Sequence, residues 1–413
     1  MSVGGAVVLA VPLMRRLLPW LALALLALSA WWLWPSGGGV PRSALDPVAV
    51  AAALPALDAA DGFAVLAPAG PDWLPLPEDL GPHPDQRTEL WDLSGQLRDA
   101  AGEPVGFRLT LVRVGLRAAV ERPATLAADA VLFGRFALVP KRAPPIQSER
   151  ASRMAAGLAG AGAAPPAVWL EDWRLALPAR GTDGRLRVAA GGVELDLTLR
   201  AVKDPIAPAA ALLGAAPRAA GGEDDGPGFR WFAAPRLAAS GQLLRGGQAL
   251  PVSGTAWLDR AWGGVAALGA GGFGASRGQL ALNRFLLQLD DGSELLCIQF
   301  RRRRGGGTPV PTCVAGAPDG GTRVLRRREL TLEPTAGAWR SPASGAVYPL
   351  NWRLAAPALG LDLTLAALTP AQELTLGEPV WSGAVTAQGE RDGQAVRGGG
   401  RMELGGYAAP TGG

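Results

Sequence analysis

Three carboxylates in the sequence lie two residues from a tryptophan, and this spacing places acid and indole on one face of a β-strand. The sets are Glu89 with Trp91, Glu171 with Trp169 and Trp173, and Asp259 with Trp257. A carboxylate among apolar rings is either neutralised by a cation or acquires a raised pKa, which makes it a proton donor near neutral pH. The three acids are therefore the candidate catalytic residues of a small-molecule pocket. The alternative is that each carboxylate accepts a hydrogen bond from a core indole.

The segment over residues 253–264 concentrates these residue types in one predicted strand. Alternation predicts that Trp257 and Asp259 share one face of the strand, whereas Arg260 and Trp262 share the other. We expect Trp257 and Asp259 to face a cavity, and Arg260 and Trp262 to join two parts of the fold. Asp259 is either neutralised, by Arg260 or by another cation, or protonated near neutral pH.

A second group of ionisable residues alternates along the chain. His83, Asp85, Arg87, Glu89 and Trp91 stand at every second position. In an extended segment the five side chains form a polar ladder on one face. Glu89 or His83 could then carry protons, and Arg87 could bind an anion. The other interpretation is a strand that enters from solvent and whose charges pair with one another.

The composition excludes several classes of function. The 413 residues are 48% hydrophobic and 18% charged, which is typical of a globular protein. The formal net charge of +4 is not concentrated in basic residues clustered with aromatic ones, so we expect no nucleic-acid partner. One histidine and two cysteines exclude a zinc site built within one chain from several Cys and His ligands. We expect neither a metal nor another cofactor.

The N-terminal segment predicts export. Two arginines precede an apolar run over residues 17–34, as in a signal peptide or a membrane anchor. Three tryptophans close the run, and since tryptophans favour the membrane–water interface, they favour an uncleaved anchor. We assign residues 1–35 to this signal peptide or anchor, and residues 36–75 to a linker rich in Pro, Gly and Ala.

Alternation of apolar and polar residues predicts antiparallel strands over residues 106–113, 193–200 and 361–365. Turn sequences of the Asp-Gly type separate such segments, and little helical periodicity competes with them. The predicted class is all-β. Residues 89–113 and 285–301 also share an order of strand, turn, strand and terminal arginine, which indicates two similar units.

The two cysteines are placed symmetrically about a turn. Cys297 and Cys313 are equally far from Gly305, which lies in a run of arginines and glycines. In a simple hairpin they face each other across neighbouring strands. Export to an oxidising compartment allows a disulfide, although cross-strand distances are tight for one. Two buried free thiols are the alternative.

An ordered set of motifs over residues 70–408 carries a family resemblance. The motifs are HPDQRTELW (83–91), SG (94–95), WLEDW (169–173), WLDRAWG (257–263), QLDDG (288–292), QEL (372–374), WSGAV (381–385) and ELGGY (403–407). The sequence resembles the AttH-type predicted secreted hydrolases, which are related to the carotenoid 1,2-hydratases. The resemblance implies two lipocalin-like (calycin) antiparallel β-barrels in tandem, a periplasmic location, and association with an ABC-transporter permease.

The resemblance leads to a specific expectation of function. The first barrel is expected over residues 76–260 and the second over residues 261–413. We expect an exported protein, anchored to the inner membrane or secreted through it, that binds a hydrophobic lipid or isoprenoid and works with an envelope transporter. The expected ligand-binding residues are His83, Arg87, Trp91, Trp169, Trp173, Trp257, Arg260, Trp262 and Tyr407.

Two enzymatic alternatives remain open. In a hydratase, Asp259 would protonate an isoprenoid double bond, Glu89 or Glu171 would activate water, and nearby indoles would stabilise the cation. The sequence lacks an acid at Ala261, where the family usually has one. A secreted serine hydrolase would need a histidine downstream of the serine motif over residues 274–278, and the single histidine lies far upstream.

Overall fold

The computed structural model describes residues 62–67, 69–70, 73–116, 128–179, 181–208, 212, 229–263, 280–303, 305–375 and 379–408. All of these residues belong to one compact unit. Within these ranges, no helix is both long enough and apolar enough to cross a membrane. The predicted signal peptide or anchor, most of the predicted linker and the serine motif over residues 274–278 lie outside the described residues.

The first sheet contains eleven antiparallel strands, and the all-β class is confirmed. The strands are β1 (Thr88–Asp99), β2 (Pro104–Gly115), β3 (Ala130–Pro140), β4 (Ile146–Arg153), β5 (Ala159–Ala163), β6 (Pro166–Leu170), β7 (Trp173–Ala176), β8 (Gly184–Ala190), β9 (Val193–Ala201), β10 (Phe229–Arg245) and β11 (Gln248–Gly263). Their order is β4-β3-β2-β1-β11-β10-β9-β8-β7-β6-β5. Because the edge strand β4 also contacts β6, the sheet curls into a nearly closed barrel.

The second sheet contains ten strands and forms a half-barrel. They are β12 (Leu280–Leu289), β13 (Glu294–Arg302), β14 (Val310–Gly316), β15 (Thr322–Arg326), β16 (Thr331–Pro334), β19 (Asn351–Ala356), β20 (Leu361–Ala367), β21 (Glu373–Leu374), β22 (Val380–Arg391) and β23 (Gln394–Gly405). Their order is β15-β14-β13-β12-β23-β22-β20-β19-β16, with β21 beside β22, while β17 (Ala338–Arg340) pairs only with β18 (Val347–Pro349). Short 3₁₀ helices span Pro77–Leu80 and Pro357–Leu359. The resemblance implies two barrels, and the second is open.

The strands predicted from alternation are present. Residues 106–113 lie in β2, residues 193–200 form most of β9, and residues 361–365 lie in β20. The two segments predicted to be similar are both antiparallel hairpins, β1–β2 and β12–β13. The alternating pattern therefore identifies strands whose two faces meet different surroundings.

Alternation sorts the side chains of each strand between core layers. On β1, Trp91 and Leu93 point into the barrel core, while Leu90 packs in the layer between the sheets. On β11, Leu258 joins the barrel core and Trp257 joins the layer between the sheets. A further core fills the half-barrel. Full burial of each such aliphatic side chain contributes about 1.5–3 kcal/mol.

Two glutamines on corresponding strands join the sheets. Gln96 on β1 donates a hydrogen bond of 2.9 Å to the backbone oxygen of Gly400 in the second sheet. Gln288 on β12 donates one of 2.9 Å to the backbone oxygen of Ala256 in the first. Each sheet thus supplies an amide that satisfies a backbone carbonyl of the other.

The two cysteines meet in the half-barrel. Cys297 on β13 lies directly opposite Cys313 on β14, which is the register predicted from their equal distance to Gly305. Their sulfur atoms form a disulfide, and their Cα atoms are 4.0 Å apart. Both side chains are fully buried. The bond therefore links two neighbouring strands inside the apolar core.

Candidate functional site

A segment that we call the strap, residues 73–87, lies against the barrel just before β1 begins. Its 3₁₀ helix packs Leu80 on the barrel core. Arg260 donates from Nη2 to the backbone oxygen of Gly81 at 2.7 Å, and Arg113 donates from Nη1 to a second strap carbonyl at 2.8 Å. Both arginines are buried inside the barrel. Two guanidinium groups of the barrel therefore hold the backbone of the strap.

Glu89 lies at the centre of the polar cluster that fixes the strap. Its buried carboxylate accepts hydrogen bonds from Arg260 Nη2, from Arg113 Nη1 at 3.2 Å, and from the backbone N of His83 at 3.0 Å. The Arg260 guanidinium also lies 4.1 Å from the centre of the Trp91 ring, a distance suited to a cation–π contact. Glu89 is therefore the partner of two arginines, not a lone acid beside an indole.

The titratable groups of this cluster have shifted pKa values. Burial alone would raise the pKa of Glu89, but Arg260, the His83 ring and Arg113 together lower it to about 2. Burial alone would lower the pKa of His83, but hydrogen bonds to Asp79 and Glu89 raise it above its ordinary 6.5. Glu89 is thus ionised at neutral pH, which leaves His83 as the proton carrier of the pair.

The His83 ring has two sets of partners. Its Nε2 lies 3.3 Å from Asp79 Oδ1, and the ring stacks on Trp262 at 3.9 Å between centroids. Its Nδ1 lies 3.2 Å from Arg260 Nη2 and 3.6 Å from Glu89 Oε2. The neutral ring can accept from the arginine, whereas the protonated ring can pair with both carboxylates.

The polar ladder predicted for residues 83–91 is wrong in its first half. The chain turns between His83 and Gln86, where the backbone N of Gln86 donates to the oxygen of His83 at 3.0 Å. Asp85 is consequently exposed, and Arg87 lies 5.7 Å from the ring of a phenylalanine. Strict alternation begins only with β1, and the anion-binding role of Arg87 stays a prediction.

Buried charged residues also form a network between the two sheets. The carboxylates are Asp92, Asp259 and Glu403, and the guanidinium groups are Arg108, Arg284 and Arg401. The shortest ion pairs that cross between the sheets are Arg108 with Glu403 at 3.0 Å, Arg284 with Asp259 at 2.5 Å, and Arg401 with Asp92 at 2.6 Å. Opposite charges are equal in number within this network, which offsets the cost of burying them.

Asp259 belongs to this network. Its Oδ1 accepts from Trp231 Nε1 at 2.9 Å and its Oδ2 accepts from Arg284 Nη2 at 2.5 Å. Burial raises the pKa of Asp259, Arg284 opposes this rise, and neighbouring Asp92 adds to it. Of the alternatives for its neutralisation, the cation is Arg284 from the second sheet and not Arg260.

The roles predicted for the two faces of β11 hold only in part: Trp257 faces a cavity, whereas Asp259, and not Arg260 or Trp262, joins the sheets. Trp257 and Asp259 share a face, as alternation predicts, but Asp259 on that face joins the sheets. Arg260 and Trp262 point into the barrel, where they contact His83. The expectation failed because the sequence does not indicate which face of β11 meets the second sheet.

Sequence reasoning missed most of the network between the sheets. The missed residues are Asp92, Arg108, Arg284, Arg401 and Glu403. A signal was available, because Arg108 interrupts an apolar stretch of the strand predicted over residues 106–113. A charge at such a position must find an opposite charge nearby. The identity of that partner depends on the packing of the sheets.

The third acid–tryptophan set does not share a face. Glu171 and Asp172 form the turn between β6 and β7, with Glu171 in the left-handed region at φ 58°. Trp173 is fully buried in the barrel core, while Trp169 donates from Nε1 to a backbone carbonyl at the surface. Glu171 pairs with Arg150 at 3.2 Å. The prediction of one extended strand through this motif is wrong, because the chain reverses at its centre.

Tyr407 lies in the half-barrel, away from the other predicted ligand-binding residues. Its hydroxyl oxygen accepts from Asn283 Nδ2 at 3.3 Å, and the guanidinium carbon of Arg301 lies 3.7 Å from the ring centre. Burial raises the pKa of Tyr407, and Arg301 opposes this rise. These contacts place Tyr407 in the packing at one end of the second sheet.

A large cavity of about 1140 Å³ opens between the strap, the barrel and the second sheet. Its apolar wall residues include Leu74, Leu76, Leu80, Phe232, Leu237, Trp257, Leu258 and Val314. Lys203 and Glu294 form a polar part of the wall, with Nζ 2.7 Å from Oε2. Of the predicted ligand-binding residues, all of which the structure describes, Trp257 is the one that lines this cavity. No group of His, Cys, Asp and Glu in the described part of the chain could hold a metal ion.

An irregularity in β10 shapes the cavity wall. The pairing of β10 with β11 shifts register between Ala234 and Leu237. Pro235 lacks a backbone N–H and cannot donate to the ladder, so a bulge at this point is expected. The bulge presents Arg236 to Glu294, whose Oε1 accepts from Arg236 Nε at 2.5 Å. The bulge therefore lies at the point where the second sheet contacts the barrel wall.

Comparisons with known proteins agree with this architecture. A family profile described as AttH-like matches residues 67–407. The crystal structure of a candidate AttH from Nitrosomonas europaea is 28% identical, covers 83% of this chain and 100% of its own, and has a TM-score of 0.65. Kievitone hydratase from Nectria haematococca is 17% identical, with coverages of 83% and 97% and a TM-score of 0.56, which is a likeness of fold alone. No curated protein matches the sequence.

Proposed function

Because the chain belongs to the AttH-like family, we propose that it binds a hydrophobic small molecule in the large cavity between the strap, the barrel and the second sheet. The observation that carries this proposal is the cavity itself. Its volume of about 1140 Å³ accommodates ligands whose sites typically measure about 300–1,000 Å³. The leucine, phenylalanine and tryptophan side chains of its wall favour a lipid or an isoprenoid.

The polar part of the wall favours a ligand with one polar end. Lys203 and Glu294 lie on the wall beside its apolar part, and the amine and carboxylate already pair with each other. Lys203 Nζ also donates to the backbone oxygens of Gly292 and Ala317. Because the three N–H groups of Lys203 are already engaged, a hydroxyl group of a ligand would be oriented there by donating to Glu294, while its hydrocarbon part fills the apolar region.

We further propose that the protein is periplasmic, tethered to the inner membrane by residues 1–35, and works with an ABC-transporter permease. The apolar run with its preceding arginines and closing tryptophans supports tethering. The ordered motifs that resemble AttH-type proteins support the transporter partnership. A tethered protein with an apolar cavity would be placed to exchange a lipid with the membrane.

A hydratase is the second candidate, favoured by the likeness of fold to kievitone hydratase. Asp259 is poorly placed as its acid, because Trp231 and Arg284 engage both of its oxygens and it does not line the large cavity. Glu294, on the cavity wall, is the carboxylate placed to activate water for such a reaction. Binding therefore has more geometric support than catalysis.

Filling the cavity tests the binding proposal. Ala234→Trp places an indole at the cavity wall, and we expect it to reduce the amount of co-purified or added apolar lipid at least about tenfold, because the two would occupy the same space. Native mass spectrometry of the full chain in detergent measures the bound lipid. Ala249→Trp on the exposed end of β11 is the matched control and should leave binding unchanged. Equal lipid content in both variants and the wild type would contradict the proposal.

A separate assay distinguishes binding from hydration. The ligand identified by mass spectrometry is incubated with the protein in heavy-oxygen water, and its mass is followed over time. A carrier leaves the ligand unchanged, whereas a hydratase incorporates the labelled oxygen. In the second case Glu294→Gln should abolish incorporation while lipid remains bound, and Asp259→Asn, if it folds, should still incorporate the label.

A further inference from the structure

Exposed apolar side chains lie at the wall of the large cavity. Within the described residues, four large apolar side chains are more than half exposed, namely Val65, Leu74, Leu76 and Val202. Three of them line the large cavity, Leu74 and Leu76 on the strap and Val202 directly after β9. We call these three residues the apolar rim. Single exposed apolar residues are ordinary at a protein surface, whereas a group of them beside an apolar cavity is typical of an interaction site.

The sequence of the strap fixes its two leucines in an exposed conformation. A proline follows each leucine directly, and a residue before a proline is restricted to extended conformations. Leu76 accordingly has φ −90° and ψ 161°, and its backbone N donates to Asp79 Oδ2 at 2.7 Å. Because this conformation is set in advance, inserting the leucines into a partner costs little chain entropy.

Neighbouring contacts hold the rim residues at the surface. On one side of the two leucines, the Trp73 ring lies edge-on to Trp262 with 6.0 Å between centroids. On the other side, Leu80 packs on the barrel core. The backbone N of Val202 donates to the oxygen of Arg236 in the β10 bulge at 3.1 Å. The rim residues therefore remain exposed although an apolar cavity lies beside them.

The exposed charges of the cavity wall indicate the kind of partner. Among the described wall residues, the exposed charged ones are Asp183, Asp204, Asp319 and Arg200. Three carboxylates beside one guanidinium give this part of the wall a negative charge, which opposes an anionic surface. Attraction to anionic lipid depends on clustered lysines and arginines. The wall therefore favours a surface without net charge, to which apolar contact supplies the attraction.

The chain upstream of the strap indicates which surface this is. The apolar run over residues 17–34 belongs to the tether proposed for residues 1–35, and residues 36–72 separate that tether from the strap. Tethering would confine the rim near the bilayer and raise its effective concentration there. Leucine and valine side chains gain free energy when they leave water for acyl chains.

We propose that the apolar rim docks on a bilayer surface of zwitterionic lipid, with Leu74, Leu76 and Val202 inserted among the acyl chains. The apolar wall continues from this exposed rim to the buried Phe232 and Leu237. An acyl chain would thus pass from the bilayer into the cavity with little exposure to water. Docking deepens the proposed function and rests on it for this passage alone, since the rim inserts with or without a bound ligand.

Fluorescence quenching by labelled lipids tests docking with the full chain. An environment-sensitive fluorophore is attached at Leu76→Cys, which offers the free thiol because Cys297 and Cys313 form a disulfide. The protein is reconstituted in phosphatidylcholine vesicles with or without a nitroxide on the acyl chains. We expect the nitroxide to quench the label at least about twofold, because an inserted side chain reaches the acyl region.

Val347→Cys is the matched control, because Val347 is an exposed apolar residue that does not line the large cavity. Its label should keep its fluorescence. Equal quenching at both positions, or no quenching at Leu76, overturns the proposal, and the second result includes a rim that is covered by a protein partner or by another segment of this chain. Replacing a fifth of the phosphatidylcholine by phosphatidylglycerol should not increase quenching at Leu76. An increase would overturn the assignment to an uncharged surface.

A double substitution tests whether the leucines drive docking. With the label at Val202→Cys, Leu74→Ser together with Leu76→Ser should lower the ratio of docked to undocked protein at least about tenfold, because two apolar contacts with the acyl chains are lost. Leu250→Ser together with Val324→Ser removes two exposed apolar residues outside the cavity wall and should leave the ratio unchanged. Equal losses in both double variants would contradict the role of the rim.

The quenching result is separable from the lipid content measured by native mass spectrometry. A docked rim on a protein that holds no lipid would reject the proposed function and leave docking intact. Bound lipid without quenching at Leu76 would reject docking alone.

Discussion

His83 is the single histidine of the chain, so its protonation can be measured without overlap from another histidine. Asp79 on the strap and Glu89 on β1 favour the protonated ring, while Arg260 on β11 opposes it. Arg113 on β2 approaches the backbone oxygen of His83 at 3.4 Å. The proton of this ring is therefore linked to the contacts that hold the strap against the barrel.

The pKa of His83 can be measured directly by NMR, because its imidazole signals have no histidine neighbours in the spectrum. We expect a pKa above 6.5 in the folded protein and a lower value in Glu89→Gln, which removes one of the charges that raise it. Glu149→Gln removes a carboxylate that pairs with Arg135 and should leave the titration unchanged. A wild-type pKa below 6.5 would show that burial outweighs the two carboxylates.

Stability should depend on pH through the same residue. Since folding raises the pKa of His83 above 6.5, its contribution is fully present below that pH and is lost as the pH rises through the folded value. His83→Gln should therefore reduce the free energy of unfolding more at about pH 5.5 than at about pH 8.5. Glu89 stays ionised in this window because its pKa is about 2. Urea denaturation at both pH values measures the difference, and a larger loss at the higher pH would reverse the assignment.

Asp259 is expected to matter for stability. Asp259→Asn leaves Arg284 buried beside a neutral amide, and breaking a buried ion pair in this way typically costs about 3–5 kcal/mol. Asp362→Asn breaks an exposed pair with Arg353 and should cost at most about 1 kcal/mol. Chemical denaturation of both variants gives the comparison. Similar losses would mean that Asp259 is not a structural partner of Arg284.

A cluster of ion pairs and hydrogen bonds around Glu294 connects the bulge of β10 to the second sheet. Glu294 pairs with Lys203 at 2.7 Å and with Arg236 at 2.5 Å. Arg236 also donates to the backbone oxygens of Leu289 and Ser293 at the turn between β12 and β13. These contacts tie the cavity wall of the barrel to a hairpin of the half-barrel.

Glu294→Gln should loosen this attachment. Two half-buried cations would lose their shared carboxylate, so we expect faster hydrogen exchange in the bulge and in residues 202–206, with a stability loss of about 2–4 kcal/mol. Hydrogen exchange followed by mass spectrometry resolves these segments. The β22–β23 hairpin serves as an internal control and should exchange as in the wild type. Equal acceleration in both places would indicate general destabilisation.

The strands and turns also show which parts of the fold could be predicted from the sequence. Strands β9 and β20 were predictable because one face of each is buried and the other is more exposed, and β2 was predictable because polar residues alternate with apolar ones although both of its faces are buried. The turn at Glu171 was missed because it contains neither glycine nor proline. The pairing of Asp259 with Arg284 could not be predicted either, since it depends on how two sheets pack and not on the spacing within a strand. Family motifs identified the fold more readily than the site.

The barrel and the half-barrel share a buried charged layer between their two sheets. Separating them would expose apolar residues such as Leu90 and Trp257 and would leave buried ions without partners. We therefore expect a single cooperative transition in urea, with far-UV and near-UV circular dichroism changing together. Two resolved transitions would show that the barrel and the half-barrel are stable independently.

The strap has a mechanical consequence. It joins the chain upstream of residue 73 to β1, so tension applied from the N-terminal side reaches the strap after the hydrogen bond from Arg230 to the backbone oxygen of Ala67 and before β1. The hydrogen bonds from Arg113 and Arg260 would bear that load before β1, which is paired along both edges. Pulling on the tether proposed for residues 1–35 would therefore displace one wall of the large cavity while the barrel stays folded, and we expect force to release a ligand that the proposed site holds.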